Sequence, residues 1–222
     1  MSQLNLYNYF RSSTSYRVRI AMELKSLPFS YTAVHLLNNG GEQNLEAYRA
    51  LNPIGGVPTL VHDGNALAQS FAIIEYLEEA FPQTFPLFPK DLFLKAKVRQ
   101  FCETINADLH PLTNLKVMQH LEKNYAFTTA QKQEWITKWL TDGLTALEIL
   151  VAPFAGNFCF GSDITAADLF LIPHLFSAQR FNVDYSHLTN LARINEYCLK
   201  QDAFKKAHPY CQPDTPVELR LP

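Results

Sequence analysis

Leu4-Asn5-Leu6-Tyr7-Asn8-Tyr9-Phe10-Arg11-Ser12-Ser13-Thr14-Ser15-Tyr16-Arg17-Val18-Arg19-Ile20 is the stretch that decides how this chain folds. Its first half, Leu4 to Tyr9, alternates large apolar or aromatic residues with polar ones, the period of two of a half-buried strand. Its second half places Val18, Ile20, Ala21, Leu24 and Leu27 at helical spacing, with Arg17, Arg19, Glu23 and Lys25 between them. Hydroxyl residues fill the join, and Ser12, Ser13 or Thr14 is the natural N-cap. The first turn of a helix leaves backbone N–H groups without intrahelical partners, so an anion there meets those donors and the positive end of the helix dipole together. Ser12 and Ser13 are therefore read as an anion or thiolate site.

Moving outward, Pro28 to Val34 is rich in strand formers and follows the helix at the distance of a βαβ crossover, which predicts parallel pairing with the first strand. Asn38-Asn39-Gly40-Gly41 marks a loop, and Leu45 to Leu51 a short helix. Asn52-Pro53-Ile54-Gly55-Gly56-Val57-Pro58-Thr59-Leu60-Val61 is a turn-dense approach to another strand. Pro58 cannot donate to a ladder, so it belongs at an edge or where the backbone serves another purpose. Asp63-Gly64-Asn65 signals a hairpin to Ala66–Ala68. Gln69-Ser70 then opens a helix with Phe71, Ile74, Leu77 and Phe81 on one stripe. The order β-α-β-α-β-β-α ends near Ala80, and Phe81 to Pro89 is a proline-spaced connector.

From Leu92 the pattern is helical throughout. Leu94, Val98, Phe101, Ile105, Leu109 and Leu112 recur at three and four, and Pro111 is expected to kink or break that helix. Thr128 to Gln131 resembles a capping box ahead of Ile136, Leu140, Leu144 and Leu147. Thr165 with Asp168 forms a second box, which makes Asp168 a structural carboxylate. The expected architecture is α/β plus all-α: residues 1–81 an α/β domain, 82–90 a linker, and 91–222 an all-helical domain.

With 222 residues, 47% of them hydrophobic, the chain can bury a full core. A net charge of -2 supplies no electrostatic footprint for nucleic acid. Cys102, Cys159, Cys198 and Cys211 lack both CxxC spacing and a histidine pattern, so no zinc site is expected, and the cytosolic compartment expected below argues against structural disulfides. Without a leader-like segment or an apolar run of about 18 residues, a soluble cytoplasmic protein is expected.

The thioredoxin-like order, Asn52-Pro53 with Val57-Pro58-Thr59-Leu60, Gln69-Ser70, and the helical half with its Thr165–Asp168 box together resemble the cytosolic glutathione transferases. Tyr9 to Ser13 with Arg17 to Ala21, and His208-Pro209 with Gln212-Pro213-Asp214-Thr215-Pro216, resemble the zeta class, the maleylacetoacetate isomerases. The likeness runs over nearly the whole chain. It implies glutathione as cofactor, a small dicarboxylate or electrophile as substrate, and a homodimer. It implies a cis proline at Pro58 that sets the Val57 backbone against the cysteinyl part of the tripeptide, with Gln69 and Ser70 receiving the γ-glutamyl carboxylate. It implies Ser12 and Ser13 as the catalytic hydroxyls, with Ser12 the donor to sulfur. Arg180 matches the family's substrate-carboxylate arginine, Arg11 beside the serines is the weaker candidate, and Asn114 is carried over as a glutathione contact from the neighbourhood that includes His110. Two positions depart from the family's SSCxW, where Thr14 and Tyr16 replace the cysteine and tryptophan; this removes any role for a protein thiol there.

No G-x-S-x-G elbow supports serine as nucleophile, and the serine's better role is to donate to a thiolate. A free thiol has a pKa of about 8.5; a hydrogen bond to a charged group is worth about 1.5–3 kcal/mol, and a pKa unit about 1.4 kcal/mol. One serine at a helix N-terminus thus brings a thiol near ionisation at neutral pH. Tyr7 is the rival hydroxyl. The expected reaction is glutathione-dependent isomerisation of maleylacetoacetate or maleylpyruvate to the fumaryl isomer, in tyrosine and phenylalanine catabolism. The alternatives are conjugation of small electrophiles or dehalogenation of α-halo acids on the same fold, and a non-catalytic binding module.

Overall fold

The computed structural model describes residues 3–221, which form two compact units, one of residues 3–87 with 199–221 and one of residues 88–198. In the first unit, strand β1 (Leu4–Asn8) leads into helix α1 (Ser13–Leu24), then β2 (Ser30–Ala33), α2 (Glu46–Arg49), the hairpin β3 (Thr59–His62) and β4 (Asn65–Ala68), and α3 (Ser70–Ala80). This is the expected β-α-β-α-β-β-α order. The sheet runs β2-β1-β3-β4; β2 is parallel to β1, with Leu6 opposite Tyr31, and β3 is antiparallel, with Leu6 opposite Leu60. Asp63 and Gly64 both take positive φ, as the tight hairpin between β3 and β4 requires.

The alternation in β1 buries Leu4 and Leu6. α1 buries Val18, Ile20 and Ala21 as its spacing predicts. Arg17 and Arg19, which the helical pattern places among the polar intervals, are instead 0% and 1% exposed. The reason is that acceptors wait for them inside the unit, as described below. On α3 the buried stripe is Ile73, Ile74 and Leu77, whereas Phe71 is only half-buried. Ile73, four residues before Leu77 and so on the same face, joins the stripe in its place.

The connector after α3 is fastened to the first unit. Lys25, its side chain 1% exposed, pairs with Glu78 at 2.7 Å and donates to Thr84 Oγ1 and the Phe85 carbonyl, while Glu78 accepts from the Leu87 N–H. The C-terminal segment returns to the same unit through α10 (Asp202–Ala207), which packs on α1.

The second unit is helical: α4 (Leu92–Glu103), α5 (His110–Thr113), α6 (Leu115–Tyr125), α7 (Thr129–Val151), α8 (Ala166–Arg180) and most of α9 (Thr189–Leu199). Ahead of Pro111 the backbone widens into a π turn over Thr104–Leu109 before α5 restarts, the local answer to a missing N–H. Both expected capping boxes are formed, Thr128 with Gln131 and Thr165 with Asp168. Asp168 is fully buried; one carboxylate oxygen accepts from the Thr165 N–H at 2.8 Å and the other from the Cys159 N–H at 2.8 Å, a structural role with both oxygens engaged.

Candidate active site

The site is built where β1 turns into α1. Of the three candidate caps, Ser12 is the one that caps: its Oγ accepts from the Ser15 N–H at 3.2 Å, and its own N–H reaches back to the Tyr9 carbonyl at 3.0 Å. Ser13 is the first helical residue and is buried, with no hydrogen-bond partner for its hydroxyl among the described residues. Thr14 links the cap to the next element. Its hydroxyl donates to the Val57 carbonyl at 2.8 Å and lies 2.9 Å from Ser12 Oγ.

Val57 precedes a cis peptide bond to Pro58, as the resemblance implies. Pro58 stands just ahead of β3, an interior strand, so it takes the second of the two expected placements, where backbone is held for something other than a ladder. The approach to it is fixed from behind. The Gly56 carbonyl accepts from Asn52 Nδ2 at 2.8 Å and from the Tyr48 hydroxyl at 2.5 Å, and both side chains also meet Thr59 Oγ1, at 3.2 and 2.9 Å. Among the described residues the Val57 N–H makes no hydrogen bond, and its carbonyl, which accepts from Thr14, retains a second lone pair, so one half-exposed residue offers both a donor and an acceptor. That pair suits an extended peptide.

Gln69 and Ser70 open α3. Gln69 holds φ 74 and ψ 113 without being glycine, a conformation that costs about 1–3 kcal/mol and is typical of residues held for a ligand. Ser70 is 2% exposed, and its Oγ accepts from Arg17 Nη1 at 3.2 Å. Because Arg17 can only donate to it, the Ser70 hydroxyl keeps its hydrogen for a carboxylate at the helix N-terminus, beside the buried Arg17 charge. Sequence reasoning missed Arg17; the signal was a pair of arginines two apart in an otherwise apolar helix.

The β1–α1 loop is held by groups far away in sequence. Arg19 donates to the carbonyls of Phe10 at 2.9 Å, Tyr9 at 3.3 Å and Ala207 at 3.0 Å, and to Asn8 Oδ1 at 2.9 Å. Burial lowers its pKa to about 10, which leaves it cationic at neutral pH. Asp214 Oδ2 accepts from the Phe10 N–H at 3.0 Å, and Asp214 Oδ1 from the Tyr31 hydroxyl, whose own ionisation burial pushes well above the usual tyrosine range. Tyr16, standing at the family's tryptophan position, donates to the Phe204 carbonyl at 3.1 Å.

Tyr7, the rival hydroxyl, lies half-buried opposite Thr59 with its ring 6.0 Å from that of Tyr48, and Arg11 is half-buried with its guanidinium 5.9 Å from the Phe10 ring. The structure thus gathers Ser12, Ser13, Val57, Pro58, Gln69, Ser70 and Arg11 in the first unit. The other two candidates belong to the second. Asn114 caps α6, its Oδ1 accepting from the Val117 N–H at 3.2 Å. Arg180 ends α8, its guanidinium 5.1 Å from the Phe181 ring. Among the described residues no group of three or more His, Cys, Asp or Glu could hold a metal ion.

Residues 11–80 match the family model of the glutathione S-transferase N-terminal domain. A probable maleylacetoacetate isomerase 2 of Drosophila melanogaster is 43% identical over 214 residues, 96% of this chain and 91% of its own length. The chain belongs to the zeta-class glutathione transferases. Their solved structures superpose closely. A holo maleylpyruvate isomerase, a bacterial zeta-class protein, matches with a TM-score of 0.91 at 39% identity, covering 96% of this chain and 100% of that one. A maleylacetoacetate isomerase from Anaeromyxobacter dehalogenans with dicarboxyethyl glutathione and citrate in its active site matches with a TM-score of 0.85 at 37% identity, covering 97% of this chain and 98% of that one.

Proposed function

We propose that this zeta-class chain is a glutathione-dependent isomerase that converts maleylacetoacetate or maleylpyruvate to the fumaryl isomer. The observation that carries the reading is the Ser12 cap at the N-terminus of α1, linked through Thr14 to the half-exposed Val57 backbone at cis-Pro58. Those groups fit a cysteinyl residue: a donor and an acceptor for its backbone, and a hydroxyl with a helix N-terminus for its sulfur. Gln69 and Ser70 fit the γ-glutamyl carboxylate, supported by the held backbone of Gln69 and the Arg17–Ser70 bond.

Glutathione, when bound, supplies a thiolate whose reversible addition turns the cis double bond into a rotatable single bond, so the tripeptide is not consumed. In this reading Ser12 is the catalytic hydroxyl, donating to the sulfur and stabilising its charge, with Ser13 as its neighbour at the first helical position. Val57 and Pro58 orient the cysteinyl backbone. Arg180 is the candidate for substrate carboxylate, for which the planar guanidinium is suited, and Arg11 is the weaker candidate for the same role. Asn114 contributes a further contact to the cofactor. A dicarboxyethyl group on glutathione is what a thiol yields on adding across a butenedioate, and the relative that carries it supports this substrate class.

The same reading gives residues 1–81 the cofactor and the helical residues after the 82–90 connector the substrate. It makes the enzyme a cytoplasmic homodimer of tyrosine and phenylalanine degradation. Leu92 and Phe93, 81% and 70% exposed, support self-association, and among the described residues no helix is long and apolar enough to cross a membrane.

The test is a spectroscopic isomerase assay on maleylacetoacetate and on maleylpyruvate, with and without glutathione. Glutathione-dependent isomerisation is expected; its absence, with conjugation of a general electrophile intact, would sink the reading.

A further inference from the structure

The C-terminal tail closes on the catalytic loop through opposite charges on a single residue's backbone. Phe10 stands two residues before Ser12; its N–H donates to Asp214 Oδ2 at 3.0 Å and its carbonyl accepts from Arg19 Nη2 at 2.9 Å. Arg19 also donates to the Tyr9 carbonyl, the same oxygen that receives the Ser12 N–H at 3.0 Å. From Asp214 to the catalytic hydroxyl the path is therefore continuous: carboxylate, Phe10 amide, Arg19, Tyr9 carbonyl, Ser12 amide. The clasp is built to hold. Arg19 is 1% exposed and reaches the tail directly at the Ala207 carbonyl, Tyr31 from the edge strand donates to the second Asp214 oxygen, and Tyr16 donates to the Phe204 carbonyl. Thr215 keeps Asp214 in place by donating to the Pro209 carbonyl at 2.7 Å, and Gln212 does so by donating to the carbonyls of Lys206 and His208.

We propose that Asp214, acting with Arg19, is a positioning residue for catalysis: the tail sets the β1–α1 loop so that the Ser12 hydroxyl stands where it can donate to the glutathione sulfur. The inference rests on the glutathione-dependent reading of the site. A hydrogen bond weakens steeply as its angle and distance degrade, so a loop that drifts keeps its cofactor but loses the stabilisation of the sulfur charge. The charged and titratable groups facing the clasp are Arg19, Tyr16, Tyr31, His208 and Asp214 itself. Asp214 is the only anion among them, and deleting it would by charge alone lower a nearby thiol pKa. Loss of position acts in the opposite direction, and this makes the test decisive.

Two variants separate the effects. Asp214→Ala removes both bonds; Asp214→Asn keeps an oxygen for the Phe10 N–H and offers an amide to Tyr31 while discarding the charge. In Asp214→Ala we expect the bound glutathione thiol, titrated by its thiolate ultraviolet absorbance, to rise by about one pKa unit, a tenfold weaker acid, with glutathione affinity by calorimetry changed less than threefold. In the protein without glutathione, amide hydrogen exchange over residues 9–12 is expected to accelerate by about tenfold or more. Asp214→Asn should leave exchange near the wild type and the thiol pKa at the wild-type value or below it. Unchanged titration and exchange in Asp214→Ala, even with a lowered melting temperature, would overturn the proposal, as would equal changes in the two variants. Should Asp214→Ala not fold, Tyr31→Phe removes one of the two bonds and carries the same test with a smaller rise. A wild type that binds no glutathione overturns the functional reading, and the exchange arm then still decides whether the tail holds the loop.

Discussion

Ser12 Oγ and Thr14 Oγ1 lie 2.9 Å apart, and because the single Thr14 hydrogen is engaged by the Val57 carbonyl, Ser12 is the donor between them. At rest the serine hydrogen is therefore turned toward Thr14. A thiolate at the site competes for it and wins, since a bond to a charged acceptor is worth about 1.5–3 kcal/mol against about 0.5–1.5 for a neutral one. The net gain of about 1–1.5 kcal/mol corresponds to about one pKa unit. Ser12→Ala is expected to raise the pKa of the bound thiol by that amount and to slow isomerisation at neutral pH about tenfold or more, with glutathione affinity little changed. A bound thiol that titrates as in the wild type would remove Ser12 from its role.

Thr14→Val tests the competition itself. Valine has a similar shape and no hydroxyl, so Ser12 loses its resting acceptor and keeps the Ser15 N–H. The bound thiol is expected to ionise at the same pH as in the wild type or lower. A clear rise would mean that Thr14 supports the serine.

Ser70→Ala should act on a different quantity. With Arg17 donating to Ser70 Oγ, the serine hydrogen faces the α3 N-terminus, where a carboxylate would accept it. Losing a bond to a charged group weakens glutathione binding by about 10- to 100-fold, measured by calorimetry. The thiol pKa is expected to hold, because this group acts on the other end of the tripeptide. A shifted thiol pKa with unchanged affinity would show that the two ends are assigned the wrong way round.

These separations explain how much could be read from the chain. Period-two and period-three-to-four patterns placed β1 and α1, and the Asp63-Gly64-Asn65 turn signal placed the hairpin, because each is set by neighbours a few residues away. The capping boxes were legible for the same reason. Ser12 as the cap among three hydroxyls was not, since Ser12, Ser13 and Thr14 differ only in where the helix starts. The burial of Arg17 and Arg19 was hidden because their partners lie elsewhere in sequence, at Ser70 and Ala207. Phe10 and Asp214 are 204 residues apart, and no local pattern announces such a contact. The tail motif Gln212 to Pro216 was visible only as a resemblance, without the reason that the structure supplies for it.

Asp168 predicts a stability effect free of catalysis. Removing its carboxylate in Asp168→Ala leaves the buried Thr165 and Cys159 N–H groups without their acceptor. At about 1–3 kcal/mol for each, the second unit should lose about 2–6 kcal/mol, read from chemical denaturation. A loss below about 0.5 kcal/mol would mean that water or a shifted α8 replaces the carboxylate.

The acid limit of stability should be set in part by His208. Burial, with Arg19 nearby, lowers its pKa from 6.5 to about 4, and its Nδ1 accepts from the Tyr210 N–H at 3.1 Å, which only the unprotonated nitrogen can do. The unfolded chain therefore takes up the proton first. The contribution of neutral His208 is complete above pH 6.5 and is lost as pH falls from there to about 4, below which both states are protonated and the loss stops. Because His208 sits in the tail segment between Ala207, which Arg19 holds, and Asp214, protonation should also loosen the clasp on the catalytic loop. His208→Asn keeps an oxygen for the Tyr210 N–H and cannot titrate there. Its melting temperature is expected to fall less steeply than that of the wild type between pH 6.5 and about 4. Hydrogen exchange over residues 9–12 should likewise lose part of its acid sensitivity. Parallel pH profiles for the two proteins would assign the acid limit to other groups.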